Sequence, residues 1–251
     1  MRMAEAVNYD ISGYDEFRVR AANDALSANQ KAGFPDEYRA GRSDVILLDI
    51  TNKLPVLATT GTRLLDIGVG CGELAHRLIA ITAQRAQSLT LIDSAEMLTL
   101  LPNAPHVRKV VGPFPACMQE CGDTLVHFDA ILSYSVAQYI FKEGNLFDFV
   151  DKAVGLLSET GALLIGDVPN VSMRKRFLDS PSGKAHHAAN YPGRGEPAVR
   201  FNTQEFGQID DAVVLGLVAR ARASGLQAFV VPQAPNLPMA SRREDILIRR
   251  P

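Results

Sequence analysis

The chain has 251 residues, 47% of them apolar and 22% charged, with a formal net charge of −2. That length supports a large core without staples. The faintly acidic balance gives no basic excess for gripping nucleic acid, and no stretch approaches the ~18 apolar residues of a membrane span. Cys71, Cys117 and Cys121 are odd in number and lack metal-ligand spacing, so neither a disulfide framework nor a metal site is expected. The N-terminal residues lack the apolar core of a secretory signal, and a cytoplasmic protein with reduced thiols is expected.

In chain order, residues 14–30 read as a helix with its acids early and its bases late. Residues 33–43 read as a loop or short turn, and residues 44–57 as an amphipathic helix broken near Pro55. From residue 62 the chain alternates: strand 62–68, helix 72–86, strand 88–94, helix 95–101, a weaker strand 106–112 and a short helix 115–122. A strand at 128–135 and a long helix at 145–159 follow, with Gly161 expected as its C-terminal glycine. A fifth strand occupies 162–169. Residues 168–207, dotted with Pro and Gly, form a long insertion of the kind that is usually functional or mobile. A helix at 210–225 and strands at 226–233 and 244–250 close the chain, the last two suited to a hairpin on the sheet edge. Such alternation means a parallel sheet with helices on both faces.

Parallel sheets bind ligands beyond the carboxyl ends of their strands. The first strand ends near Ile67 and runs into Gly68-Val69-Gly70-Cys71-Gly72-Glu73. Glycines here let backbone approach a ligand and adopt positive φ. A dinucleotide turn spaces its glycines differently, to seat a pyrophosphate on the helix N-terminus. Here the third glycine comes one residue early, and Glu73 stands where that pattern wants glycine. Asp66 adds a second acid, so a cationic ligand without phosphates fits better. The second strand ends at Asp93, where a carboxylate can accept both hydroxyls of a ribose; a helix cap is the other reading of Asp93.

The run Asp66 to Gly72, together with the strand ending at Asp93 and the segments 128–140 and 156–170, resembles class I S-adenosylmethionine-dependent methyltransferases. The resemblance covers about residues 60–168. It implies a Rossmann-like α/β fold: a seven-stranded, mostly parallel sheet with helices on both faces and the last strand antiparallel. It implies S-adenosyl-L-methionine as cofactor. Asp66, Gly68, Gly70 and Gly72 would pass under the methionine part, Asp93 would hold the ribose, and Ser94 and Met97 would lie near the adenine. Ser133 and Tyr134 would line the methyl side. Many members carry an acid or amide after the third strand; this chain does not, and adenine would be held near Phe114. Residues 1–59 would form a helical cap and 60–251 the methyltransferase domain.

The acceptor is expected to be a small molecule, with oxygen preferred as the acceptor atom. The Asn-Pro-Pro-aromatic signature of base methylation is absent after the fourth strand. His186 and His187 are candidate bases because their ordinary pKa lies near neutrality; exposed polar residues are the alternative. Asp167 would orient or deprotonate the acceptor, or else bond a turn before Pro169. Tyr9, Tyr14 and Arg18 would belong to a lid, Tyr139 would wall the methyl channel, and Arg174, in the cluster Arg174-Lys175-Arg176, would receive an anionic or sugar-nucleotide substrate. A non-catalytic binding module and an NAD-type oxidoreductase are the competing readings. Oligomeric state is not legible.

Overall fold

The computed structural model describes residues 13–118 and 127–251; Tyr9 and Cys121 lie outside the described residues. The chain opens with α1 (Tyr14–Ala21), α2 (Ala28–Lys31), α3 (Asp36–Arg39) and α4 (Ser43–Lys53). Then follow β1 (Arg63–Ile67), α5 (Glu73–Gln84), β2 (Ser88–Asp93), α6 (Ala95–Thr99), β3 (Val107–Val111), β4 (Phe128–Tyr134), α7 (Ala137–Glu143) and α8 (Leu146–Gly155). The remainder is β5 (Leu157–Pro169), α9 (Val171–Asp179), α10 (Pro181–Asn190), α11 (Asp211–Ala223), β6 (Gln227–Pro232) and β7 (Arg243–Arg249).

The strands form one seven-stranded sheet in the order β3-β2-β1-β4-β5-β7-β6. β7 runs antiparallel to both neighbours, and the pairs from β3 through to β5 are parallel. The closing hairpin is not simply added at the edge: β7 inserts between β5 and β6. Parallel strands covered on both faces read as continuous apolar runs, as β1 does. Leu65 and Ile67 pack toward Phe149, Val150 and Leu217, on the side of α8 and α11. Leu64 packs with Ile46, Ile50, Leu78 and Ile79, on the side of α4 and α5. Burying each such side chain is worth about 1.5–3 kcal/mol. Of the expected cap, α4 therefore belongs to the sheet's flank, while α1 to α3 stand beyond the strand ends.

Three local expectations change. Residues 14–30 do not form one helix: α1 stops at Ala21, and Ser27 with Gln30 builds a capping box that starts α2. The helix at 145 ends at Gly155, and Leu157 already pairs with Phe128. Gly161 is then a strand residue; a Cβ there would lie 2.6 Å from the Phe128 carbonyl oxygen, beside the register shift between Phe128 and Ala130. The first half of the insertion is helical, as α9 and α10, with Asn170 accepting from the amides of Ser172 and Met173 to start α9.

α4 is tied to the sheet by charge as well as by packing. Lys53 Nζ donates to Asp49 Oδ2 at 2.6 Å and to Asp245 Oδ2 at 2.7 Å, and Asp245 is wholly buried on β7. Removing one partner of a buried pair strands the other charge. Lys53→Ala is expected to lower unfolding stability by about 3–5 kcal/mol in urea melts at neutral pH. The loss should shrink at mildly acidic pH, where Asp245 takes up a proton instead.

Candidate functional site

The strand order reverses between β1 and β4, which opens a crevice beyond their carboxyl ends. A cavity of about 310 Å³ occupies that position, within the usual size range of small-molecule sites. Its floor is the glycine turn. Gly68 and Gly70 have φ of +75° and +64°, and a Cβ on Gly68 would come within 2.6 Å of Val136. The turn also orients an acid. Gly70 N–H donates to Asp93 Oδ2 at 2.8 Å and Ser94 N–H to Asp93 Oδ1 at 2.7 Å. Each oxygen keeps a further acceptor site, and Asp93 lines the cavity. Asp93 is not the cap of α6; Ser94 is, accepting from Met97 N–H at 3.2 Å.

The cavity is acidic. Glu73, Asp93, Glu143 and Asp148 border it, and Arg39 is the one lysine or arginine among its lining residues. Burial raises the Asp93 carboxyl above its ordinary pKa, against the two amides that hold its charge. Behind the floor, burial and then the charge of Asp93 push Asp66 up to about 8. Glu73 opens α5, accepting from Ser43 Oγ and Arg77, both at 3.1 Å. Met97, Gly112, Pro113 and Phe114 form an apolar side wall, with Phe114 edge-on to Phe149 at 5.2 Å.

α1 forms a roof. Tyr14 and Phe17 line the cavity, and Phe17 meets Tyr139 edge-on at 4.7 Å. Glu143 Oε2 accepts from Tyr14 N–H at 3.0 Å, and any side chain at Gly13 would overlap the Glu143 carboxylate. Burial, then Asp93, raises the Tyr14 phenol to about 12, so it stays protonated. Arg18 pins the roof from outside, pairing with Glu96 at 2.9 Å; it does not line the cavity.

Several expected site residues stand elsewhere. Ser94 is fully buried and spent as a cap, and Ser133 is fully buried in β4; neither borders the cavity. Tyr134, Ser135 and Val136 present that strand end instead. His186 and His187 lie on α10, against Phe177 and Tyr191, away from the cavity. Arg174 is exposed and paired with Glu205 at 3.1 Å; Lys175 also pairs with Glu205 and Arg176 pairs with Asp211, so the basic cluster is neutralised in place.

Asp167 ends up beneath the site as an anchor, unsuited to take a proton. Oδ2 accepts from Arg39 at 2.7 Å, from Arg243 at 2.9 Å and from Ser135 Oγ at 2.5 Å; Oδ1 accepts from Gln233 at 3.2 Å. Burial would raise its pKa, but the Arg243 and Arg39 guanidinium groups outweigh that and hold it below the ordinary value. Ser135 and Asp167 both take left-handed backbone, φ +64° and +58°. Arg39, Ser135 and Glu143 were not singled out from the sequence. Ser135 was accessible as the residue after the strand end; Arg39 carries no local signal, because its partners lie 96 and 128 positions away. Among the described residues no group of three His, Cys, Asp or Glu is placed to hold a metal.

No protein-family model matches the chain, and no curated protein matches it. Solved structures do. The plantazolicin methyltransferase BpumL, solved with SAH and a triazolic desmethylPZN analog, superposes with a TM-score of 0.58 at 12% identity, over 94% of this chain and 97% of that one. The N-methyltransferase NodS from Bradyrhizobium japonicum WM9, solved with SAH, gives 0.56 at 13% identity over 96% and 100%. The fold is that of S-adenosylmethionine-dependent methyltransferases. A putative S-adenosylmethionine dependent methyltransferase from Listeria monocytogenes gives 0.53 at 17% identity, over 84% of this chain and 98% of that one.

The raised Asp66 carboxyl has a measurable signature. Between its ordinary 3.8 and about 8, the folded chain keeps a proton that the unfolded chain has lost. Stability should therefore fall as pH rises through that window, and Asp66→Asn should flatten the slope. Urea midpoints across the window test this; a slope unchanged by the substitution would place the proton on another group.

Proposed function

We propose that the chain is an S-adenosylmethionine-dependent methyltransferase acting on a small-molecule acceptor. The observation that carries this reading is Asp93: a carboxylate at the tip of β2, fixed by the amides of Gly70 and Ser94, on the wall of an acidic cavity. The fit extends to the floor, where the left-handed glycines leave backbone room that a Cβ would fill. The reading is supported by the SAH complexes among the structures that share the fold. Glu73 disfavours a diphosphate at the start of α5, which counts against a dinucleotide.

When bound, S-adenosylmethionine supplies a methyl group on a positively charged sulfur, already activated for in-line displacement. The protein's task is alignment and exclusion of water. Asp93 would receive the ribose hydroxyls, the turn at Gly68 to Gly72 would lie under the methionine part, and Met97 and Phe114 would flank the adenine. Tyr14, Phe17 and Tyr139 close the cavity from above. On the acceptor side, Arg39 and Ser135 border the strand ends; Ser135 spends its hydrogen on Asp167, and the Nε and Nη1 donors of Arg39, unpartnered among the described residues, suit an acceptor bearing oxygen, so oxygen is the proposed methylated atom. Asp167 keeps both groups in position and moves no proton.

Calorimetry with SAH tests the reading. The wild type is expected to bind SAH, and Asp93→Ala to weaken it by about 1–3 kcal/mol through two lost hydroxyl bonds. NADH should give no heat. Binding of NADH in place of SAH would sink the proposal.

A further inference from the structure

Beside the main cavity lies a recess of about 10 Å³, room for roughly one water. Phe34, Arg39, Ile46 and Tyr134 line both spaces and so form the wall between them. Two of these four carry polar groups that the protein leaves unused. Arg39 spends only one nitrogen, Nη2, on Ser135 and Asp167; its Nε and Nη1 have no hydrogen-bond partner among the described residues. The Tyr134 side chain is only 9% exposed, and its hydroxyl likewise has no hydrogen-bond partner among the described residues. None of these atoms is among the buried side-chain atoms that lack a partner, so all reach open space at the cavity wall, where donors without a protein partner are available to a ligand.

Their chemistry states what kind. A guanidinium offers donors only, and burial keeps the Tyr134 phenol protonated, its pKa well above the ordinary value. Both ask for an oxygen acceptor. Arg39 is the one basic side chain lining either space. The recess's one carboxylate, Asp167, is already shared by Arg39, Arg243, Ser135 and Gln233. The guanidinium carbon lies 3.9 Å from the Phe34 ring centroid and 5.5 Å from that of Tyr134, so the group is positioned before a ligand arrives. With Nη2 spent, neither fork of the guanidinium is free, and an anion there takes a single charge-assisted hydrogen bond from Nε or Nη1.

Resting on the methyltransferase reading, we infer that the acceptor carries a carboxylate and is anchored by Arg39 and Tyr134 at the wall between cavity and recess. An ammonium group would face the guanidinium there and be repelled. The flat flank of Phe34 favours a planar body next to the carboxylate.

Saturation-transfer NMR on the protein preloaded with SAH tests the anchor, with benzoate, benzyl alcohol and benzylammonium as probes. Benzoate should bind best of the three. Its affinity should drop about tenfold or more in Arg39→Gln, where charge-assisted bonds are lost, and by a smaller factor in Tyr134→Phe. Arg174→Ala, far from the cavity, should change nothing. SAH affinity is measured in every variant. Tyr134→Phe keeps the ring and carries the test if Arg39→Gln does not fold. Equal binding of the probes, preference for benzylammonium, or benzoate binding indifferent to both substitutions overturns the inference while leaving the methyltransferase reading intact. Failure of the wild type to bind SAH overturns both.

Discussion

The cavity wall at the ends of β4 and β5 depends on one buried charge. Asp167 sits beneath the strand ends, and two guanidinium groups converge on it, one from α3 and one from β7. A buried ion pair adds little net stability, but breaking it is costly because the survivor has neither water nor partner. The pairing therefore acts less as glue than as a locator: α3 can rest only where Arg39 meets Asp167. The same contact sustains two strained residues. Ser135 and Asp167 hold left-handed backbone, which costs a non-glycine residue about 1–3 kcal/mol and persists only where the surroundings enforce it.

The cavity consequently carries both signs of charge. Glu73 and Asp93 stand at the ends of β1 and β2, Glu143 and Asp148 on α7 and α8, and the Arg39 guanidinium beside the ends of β4 and β5. Under the proposed reading, each reactant meets the charge that suits it: the cationic nucleoside lies by the acids, and the oxygen-bearing acceptor by the arginine. Opposed fields of this kind select orientation as well as identity, since a ligand entered the wrong way round would meet like charge.

What could be read from the sequence was what is locally encoded. The strand–helix alternation, the glycine turn and the acid closing the run at Asp93 each lie within a few residues of one another, and the fold brings the turn and the acid together at one cavity. Glu73 in place of a glycine likewise carries its meaning in its position. What could not be read comes from distant pairing. Asp167 looked like a base because a carboxylate at a strand tip is chemically suggestive; only the fold brings Arg39 and Arg243 onto it. His186 and His187 looked catalytic for their chemistry, yet their segment folds into a helix that turns away from the cavity. Gly161 was read as a helix stop, because its demand for space comes from a carbonyl on β4, 33 positions earlier.

The place of β7 has a consequence for how the chain is made. This strand follows β6 in the chain yet slots between β5 and β6, and brings Arg243 and Asp245 with it. A nascent chain can complete the glycine turn and the Asp93 carboxylate it holds early, from residues 63–94. The opposite wall waits for β7 to emerge, because Asp167 lacks Arg243, and Lys53 lacks Asp245, until then. The two halves of one cavity are thus separated in time by the synthesis of residues 95–245.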